Sequence, residues 1–185
     1  LDRSSAASDV YKRQELISQS DANGNVITYT YDLLGRQLTM LRQKGSATEH
    51  NIETVYDSGA YAIGQVSSVE DRQTGFRVNY YYDAFARKRQ QTTSFDLASY
   101  QQYWSYDSLG RLLTETDATG GGLTYHYTAT HWLNAIDDKD IKASSGAALR
   151  YWQANAQDAF GNVTQDKLGQ AITRSKTYHQ HTGLL

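Results

Sequence analysis

Hydrophobic and polar residues alternate along much of this chain with a period of two. Residues 26–31 place Val26, Thr28 and Thr30 on one face and Ile27, Tyr29 and Tyr31 on the other. Residues 76–80 set Phe76, Val78 and Tyr80 against Arg77 and Asn79, and residues 123–127 repeat the scheme. Such alternation, carried by β-branched and aromatic residues, predicts strands rather than helices. One stretch, residues 136–149, has helix-like alanines and charges. It contains Ser144-Ser145-Gly146 and reads better as an Asp-rich turn leading to a strand at Leu149-Arg150-Tyr151-Trp152.

Between the strands one phrase recurs. It stands as Tyr31-Asp32-Leu33-Leu34-Gly35-Arg36, as Tyr82-Asp83-Ala84-Phe85-Ala86-Arg87 and as Tyr106-Asp107-Ser108-Leu109-Gly110-Arg111. A degraded copy runs Gln157-Asp158-Ala159-Phe160-Gly161-Asn162, and a truncated one opens at Tyr56-Asp57. The aspartates at 32, 57, 83 and 107 are 25, 26 and 24 residues apart. Tyr127-Thr128-Ala129-Thr130-His131-Trp132 sits where the next copy belongs, with Thr for Asp and His for Gly. Repetition at a near-constant period marks a repeat architecture. A second turn signal falls between the phrases, at Asp21-Ala22-Asn23-Gly24-Asn25, Asp71-Arg72-Gln73-Thr74-Gly75 and Asp117-Ala118-Thr119-Gly120. Gly24 and Gly35 are 11 residues apart, which leaves room only for short strands joined as hairpins.

The phrase has a structural chemistry. Asp at the first turn position can accept the backbone N–H two residues on, and Gly at the fourth takes the positive φ that closes the turn. The Tyr before the turn and the residue after the Arg flank it on paired strands. The Arg is placed either to lie over an aromatic face or to pair with an acidic turn residue in the next rung. Ala86 breaks the pattern, so its turn must change type or carry strain.

Composition narrows the function classes. The chain has 185 residues, a net charge of −2, no cysteine and no proline. There is no basic footprint for nucleic acid or anionic lipid, and no apolar run long enough for a membrane helix. Fifteen tyrosines against four phenylalanines suit half-buried strands that pack a ring and satisfy a hydroxyl. Residues 3–14 fit no repeat and read as a polar leader or a translated adapter scar, so residues 1–17 are set aside from the fold. The last phrase, Tyr178-His179-Gln180-His181-Thr182-Gly183-Leu184-Leu185, is another repeat-like opening, and the expectation is a slice of a longer protein.

Candidate sites are few. Asp21, Asn23, Asn25 and Asp32 imitate a calcium loop, but Val26 stands where that loop needs glycine. His179 and His181 share a strand face without a third ligand. Asp137, Asp138 and Asp140 around Lys139 read as a solvated turn. Trp104, Trp132 and Trp152 could stack on sugars or fill the sheet. No catalytic motif occurs. The expectation is a non-enzyme with no catalytic residue, cofactor or metal.

The repeated phrase resembles the YD repeats of the rearrangement-hotspot (Rhs) family, which includes the C components of insecticidal toxin complexes and, more distantly, the teneurins. The resemblance runs over residues 18–185 and includes the linking phrases Ile63-Gly64-Gln65-Val66-Ser67-Ser68-Val69 and Tyr151-Trp152-Gln153-Ala154-Asn155-Ala156-Gln157-Asp158. It implies an all-β fold of repetitive antiparallel hairpins, a slice of a spiral β-sheet shell enclosing a C-terminal toxin or effector. It implies export by a bacterium. The partners would be the rest of the shell, the cargo and delivery-system proteins, without nucleic acid or membrane insertion by this segment. Tyr31, Asp32, Gly35, Arg36, Tyr82, Asp83, Arg87, Tyr106, Asp107, Gly110, Arg111, Asp158 and Gly161 would be repeat framework. The family's autoproteolysis site has no counterpart here. The alternative is a cell-surface YD adhesin that binds glycans through aromatic strands.

Overall fold

The computed structural model describes residues 15–169, 171–179 and 182–184. The leader read at residues 1–17 lies outside the described residues up to position 14. The chain divides into two compact units, Leu1–Gln101 and Gln102–Leu185.

The first unit holds β1 (Ser18–Ser20), β2 (Asn25–Tyr31), β3 (Gln37–Lys44), β4 (Ala47–Tyr56), β5 (Val66–Asp71), β6 (Phe76–Tyr82) and β7 (Lys88–Phe95). β8 (Ala98–Tyr106) crosses the boundary. The second unit continues with β9 (Leu112–Thr116), β10 (Gly122–Tyr127), β11 (Leu133–Lys142), β12 (Ala148–Gln157), β13 (Val163–Leu168) and β14 (Ile172–Ser175). The described residues contain no helix. Within each unit, sheet order is chain order and neighbouring strands are antiparallel. The fold is all-β, a meander of short hairpins, as the period-two pattern predicts.

Register sorts the side chains into two unlike faces. In the first unit Tyr29 faces Met40, which faces Ile52, on one side. Thr30 faces Thr39 on the other, and their hydroxyls meet at 2.6 Å. In the second unit Tyr125 faces Ile136, which faces Trp152. The opposite face pairs Ser105 with Thr114 at 2.6 Å. One face of each sheet is therefore aromatic and aliphatic, the other rich in hydroxyls.

A sheet without a second layer has no ordinary core. Among the described residues the buried hydrophobic ones are Ala62, Val78, Tyr82, Ala135 and Ala154. Buried polar or charged residues outnumber them: Thr54, Ser67, Ser68, Asp71, Asp137, Asp138 and Asp166. Hydrogen bonds and ion pairs thus carry much of the cohesion, because buried polar groups must be paired.

The region 136–149 differs from the sequence expectation. β11 runs to Lys142 and β12 begins at Ala148, so the turn is confined to residues 143–147. Asp137 and Asp138 lie in the strand and are buried rather than solvated. Their charges are met by neighbours across the ladder. Arg150 Nε donates to Asp137 Oδ1 at 2.7 Å and its Nη2 to Oδ2 at 3.1 Å, and His126 Nε2 is 3.0 Å from the same Oδ2. Asp138 accepts from the Tyr151 hydroxyl at 2.5 Å and from the N–H groups of Asp140 and Ile141. Asp140 stays exposed.

Candidate functional site

The repeated phrase builds one turn. Asp32 N–H donates to the Arg36 carbonyl at 2.9 Å, and Gly35 N–H donates back to the Asp32 carbonyl at 3.0 Å. Gly35 has φ 79°. This is a tight turn followed by a left-handed residue that forms a bulge, a three-residue hairpin loop whose twist suits the strands. Asp32 Oδ1 accepts the N–H groups of Leu34 (2.8 Å) and Arg36 (2.9 Å), while Oδ2 accepts Arg36 Nε at 2.7 Å. The Arg36 N–H above all, then its guanidinium and the Leu34 N–H, hold the Asp32 carboxyl below its ordinary value against the opposing effect of burial.

The same pair of backbone bonds closes the turns opened by Asp21, Asp83, Asp107, Asp117, Thr128, Ala143 and Asp158. The signals at Asp21 and Asp117, which read as a second kind, are the same turn placed at the other end of the strands. The turn tolerates loss of either key residue. Ala86 keeps the type and takes φ 57°, so its copy carries strain instead of changing form. His131 takes φ 73°, and Thr128 Oγ1 replaces the aspartate oxygen by accepting Trp132 N–H at 3.1 Å. Asp71 differs: its carbonyl accepts Gly75 N–H, one residue further on. The truncated copy at Asp57 opens a longer loop that closes only at Gln65.

The turns at Asp32, Asp57, Asp83, Asp107, Thr128 and Asp158 join β2–β3, β4–β5, β6–β7, β8–β9, β10–β11 and β12–β13, every second connection of the meander. An antiparallel meander alternates its ends, so within each unit these turns line one end of the strands. Register shifts fall beside the tyrosine just before them: Thr30/Tyr31, Val55/Tyr56, Tyr81/Tyr82, Ser105/Tyr106 and His126/Tyr127.

That tyrosine is tied to the previous rung. Tyr56 donates to the Gln37 carbonyl (3.1 Å), Tyr82 to Val66 (2.6 Å) and Tyr127 to Leu112 (2.8 Å). Each acceptor is the first residue after the preceding turn. Tyr31 likewise donates its hydroxyl to the Leu16 carbonyl at 2.8 Å. Burial raises the Tyr82 and Tyr127 hydroxyls above their ordinary value. The repeat spacing placed these tyrosines on the sheet but did not show that their hydroxyls reach a carbonyl one rung back.

The fifth-position side chain reaches forward. Arg36 holds its own Asp32, donates from Nη2 to Asp57 at 2.6 Å, and lies 4.4 Å over the Tyr56 ring. Both alternatives left open by the sequence are realised by one side chain. Arg111 lies 4.3 Å over Tyr127, and its Nη1 is 3.2 Å from His131 Nδ1 in the next turn. At the Thr128 turn this position is Trp132, whose indole lies against Gly161 of the following turn so closely that a Cβ there would collide with it. Rungs are thus fastened backward by the hydroxyls of Tyr31, Tyr56, Tyr82 and Tyr127 and forward by Arg36, Arg111 and Trp132.

Other candidates resolve differently. Asp21 and Asp32 serve separate turns at opposite ends of β2, with their oxygens committed there, so they form no ion-binding loop. His179 Nδ1 faces Thr182, and His181 lies outside the described residues. Trp152 Nε1 donates to Asp166 at 2.8 Å. Asp166, 1% exposed, also accepts from Arg174 and Lys176, and the Arg174 guanidinium chiefly holds its carboxyl far below the usual range. This buried cluster had no sequence signal, because its members come from three strands and the residue that follows the last of them.

The RHS Repeat family model matches residues 12–47 and 106–140. No curated protein matches. Among solved structures, the TcdB2-TccC3 crystal structure superposes with a TM-score of 0.74 at 16% identity, covering 92% of this chain and 10% of that one. TcdB2-TccC3 without its hypervariable C-terminal region gives 0.74, 16%, 92% and 9%. A Photorhabdus luminescens Tc holotoxin pore carrying a TccC3 mutation gives 0.73, 16%, 92% and 9%. The chain spans about a tenth of the length of these structures. Its sheet matches a slice of their fold, and residues 12–47 and 106–140 of the chain match the RHS Repeat family model.

Proposed function

We propose that residues 18–185 are a wall segment of an Rhs-type shell that encloses a C-terminal toxin or effector polypeptide, in a protein exported by a bacterium for competition or host toxicity. The observation that carries this reading is the fastening of one rung to the next. Recurring turns, tyrosine hydroxyls and forward-reaching side chains make a sheet that can be extended rung by rung, which suits a wall. Tyr31, Asp32, Gly35, Arg36, Tyr82, Asp83, Arg87, Tyr106, Asp107, Gly110, Arg111, Asp158 and Gly161 are its framework and perform no chemistry. The partners are the rest of the shell, the cargo and the delivery proteins. An adhesin would present its aromatics free for glycans. The hydroxyls of Tyr31, Tyr56, Tyr82 and Tyr127 are instead spent on backbone carbonyls, which favours the wall.

The test is limited proteolysis of the full-length product of the intact locus. A C-terminal polypeptide that resists protease until the repeats unfold supports the reading. A tail cut equally fast in native and denatured protein, or a locus ending in a surface anchor without cargo, overturns it.

A further inference from the structure

The loop between Asp57 and Gln65 covers a cavity of about 320 Å³ on the hydroxyl-rich face of the first unit. Val55, Ala60, Ala62, Ser67, Ser68, Arg77 and Asn79 are among its lining. Ser68 is only 8% exposed, and it lines this cavity.

Its neighbours are all short of an acceptor. Asn79 stands directly opposite Ser68 in the ladder. The Asn79 carbonyl oxygen accepts Arg77 Nε at 3.2 Å, which leaves the Asn79 NH2 group to donate. Ser67 Oγ accepts the Ser58 N–H at 2.8 Å, which leaves its own proton. Arg77 Nη1 is 3.5 Å from Glu70 Oε2, at the outer limit of a hydrogen bond, so its charge is only partly met.

We propose that this cavity is a carboxylate-binding subsite. Two hydroxyls, one amide NH2 and one guanidinium supply donors on a single wall, and one guanidinium matches one negative charge. Val55, Ala60 and Ala62 provide an apolar side for a short carbon stem. The carboxylate comes from an acidic peptide side chain or from a sugar acid. The subsite rests on the first unit alone and does not depend on the shell reading.

The experiment is calorimetric titration of the whole chain, its sheet content checked by circular dichroism. The probes are N-acetyl-glutamate amide, N-acetyl-glutamine amide and glucuronate. One or both acids bind, and the neutral amide does not; whichever acid binds tighter identifies the source. Arg77→Gln weakens binding roughly ten-fold or more, since it removes a charged hydrogen-bond partner. Ser68→Ala weakens it several-fold without changing the melt, and Glu70→Gln tightens it by removing the competing carboxylate. Equal binding of the neutral amide, binding of neither acid, or acid binding unchanged in both Arg77→Gln and Ser68→Ala overturns the proposal.

Discussion

The turns allow a direct test of how much a left-handed residue costs in this fold. Ala86 and Gly24 hold the same position of the same turn, at φ 57° and 79°. A left-handed conformation costs an L-residue roughly 1–2 kcal/mol. Glycine gives part of this back, about 0.4–1 kcal/mol, through its freer unfolded chain. Ala86→Gly should therefore stabilise by about 0.5–1 kcal/mol. Gly24→Ala should destabilise by about the same amount, because no atom lies within 4 Å of the added Cβ and only the backbone matters. Gly161→Ala shares the backbone strain at φ 83°, and its Cβ also strikes the Trp132 ring. Overpacking of that kind adds about 1–3 kcal/mol, and Trp132 emission should shift. Urea unfolding at low micromolar concentration, followed by circular dichroism, measures all three. A less stable Ala86→Gly variant, or a Gly24→Ala loss as large as that of Gly161→Ala, would refute the reasoning.

Three further outcomes are expected. Tyr82→Phe keeps the ring but leaves the Val66 carbonyl without its donor, and should cost about 1 kcal/mol in the same assay. Burial alone would raise the Asp71 carboxyl, but His50 and the N–H groups of Asn51 and Gln73 outweigh it and bring it to about 2. Its contribution is therefore present above the unfolded value of 3.8 and is lost as pH falls from there through about 2. Asp71→Asn should flatten stability across that window, and an unchanged acid titration would contradict this. Among the described residues β1 and β14 each pair with one neighbour only, so the chain by itself should associate as concentration rises, seen by sedimentation; a monomer at every concentration would count against it.

Strand periodicity, the repeat interval and the Asp-x-x-Gly turn could be read from the residues because they are local. A strand's two faces depend on neighbours two positions away, and the turn is closed by its own five residues. The same locality explains the error at residues 136–149. Asp137 and Asp138 look like a solvated turn until Arg150 and Tyr151, thirteen residues on, come across the ladder to neutralise them. Identity of the turns at both ends of the strands was hidden as well, because Arg36 and Asn25 differ as side chains while their backbones close alike.

By itself the sequence determined an all-β repeat, the places where the chain reverses and the alternation that gives each sheet two faces, since these follow from short-range sterics and hydrogen bonding. Only the tertiary structure decided what fastens rung to rung: the Tyr56 hydroxyl on the Gln37 carbonyl, Arg36 spanning Asp32 and Asp57, Trp132 against Gly161, and Asp166 beneath Trp152, Arg174 and Lys176. Apart from Arg36 on its own Asp32, these contacts join residues about 8–29 positions apart in the sequence. Their geometry depends on ladder register and on a bulge beside each tyrosine, and a shift of one residue would send every such side chain to the opposite face.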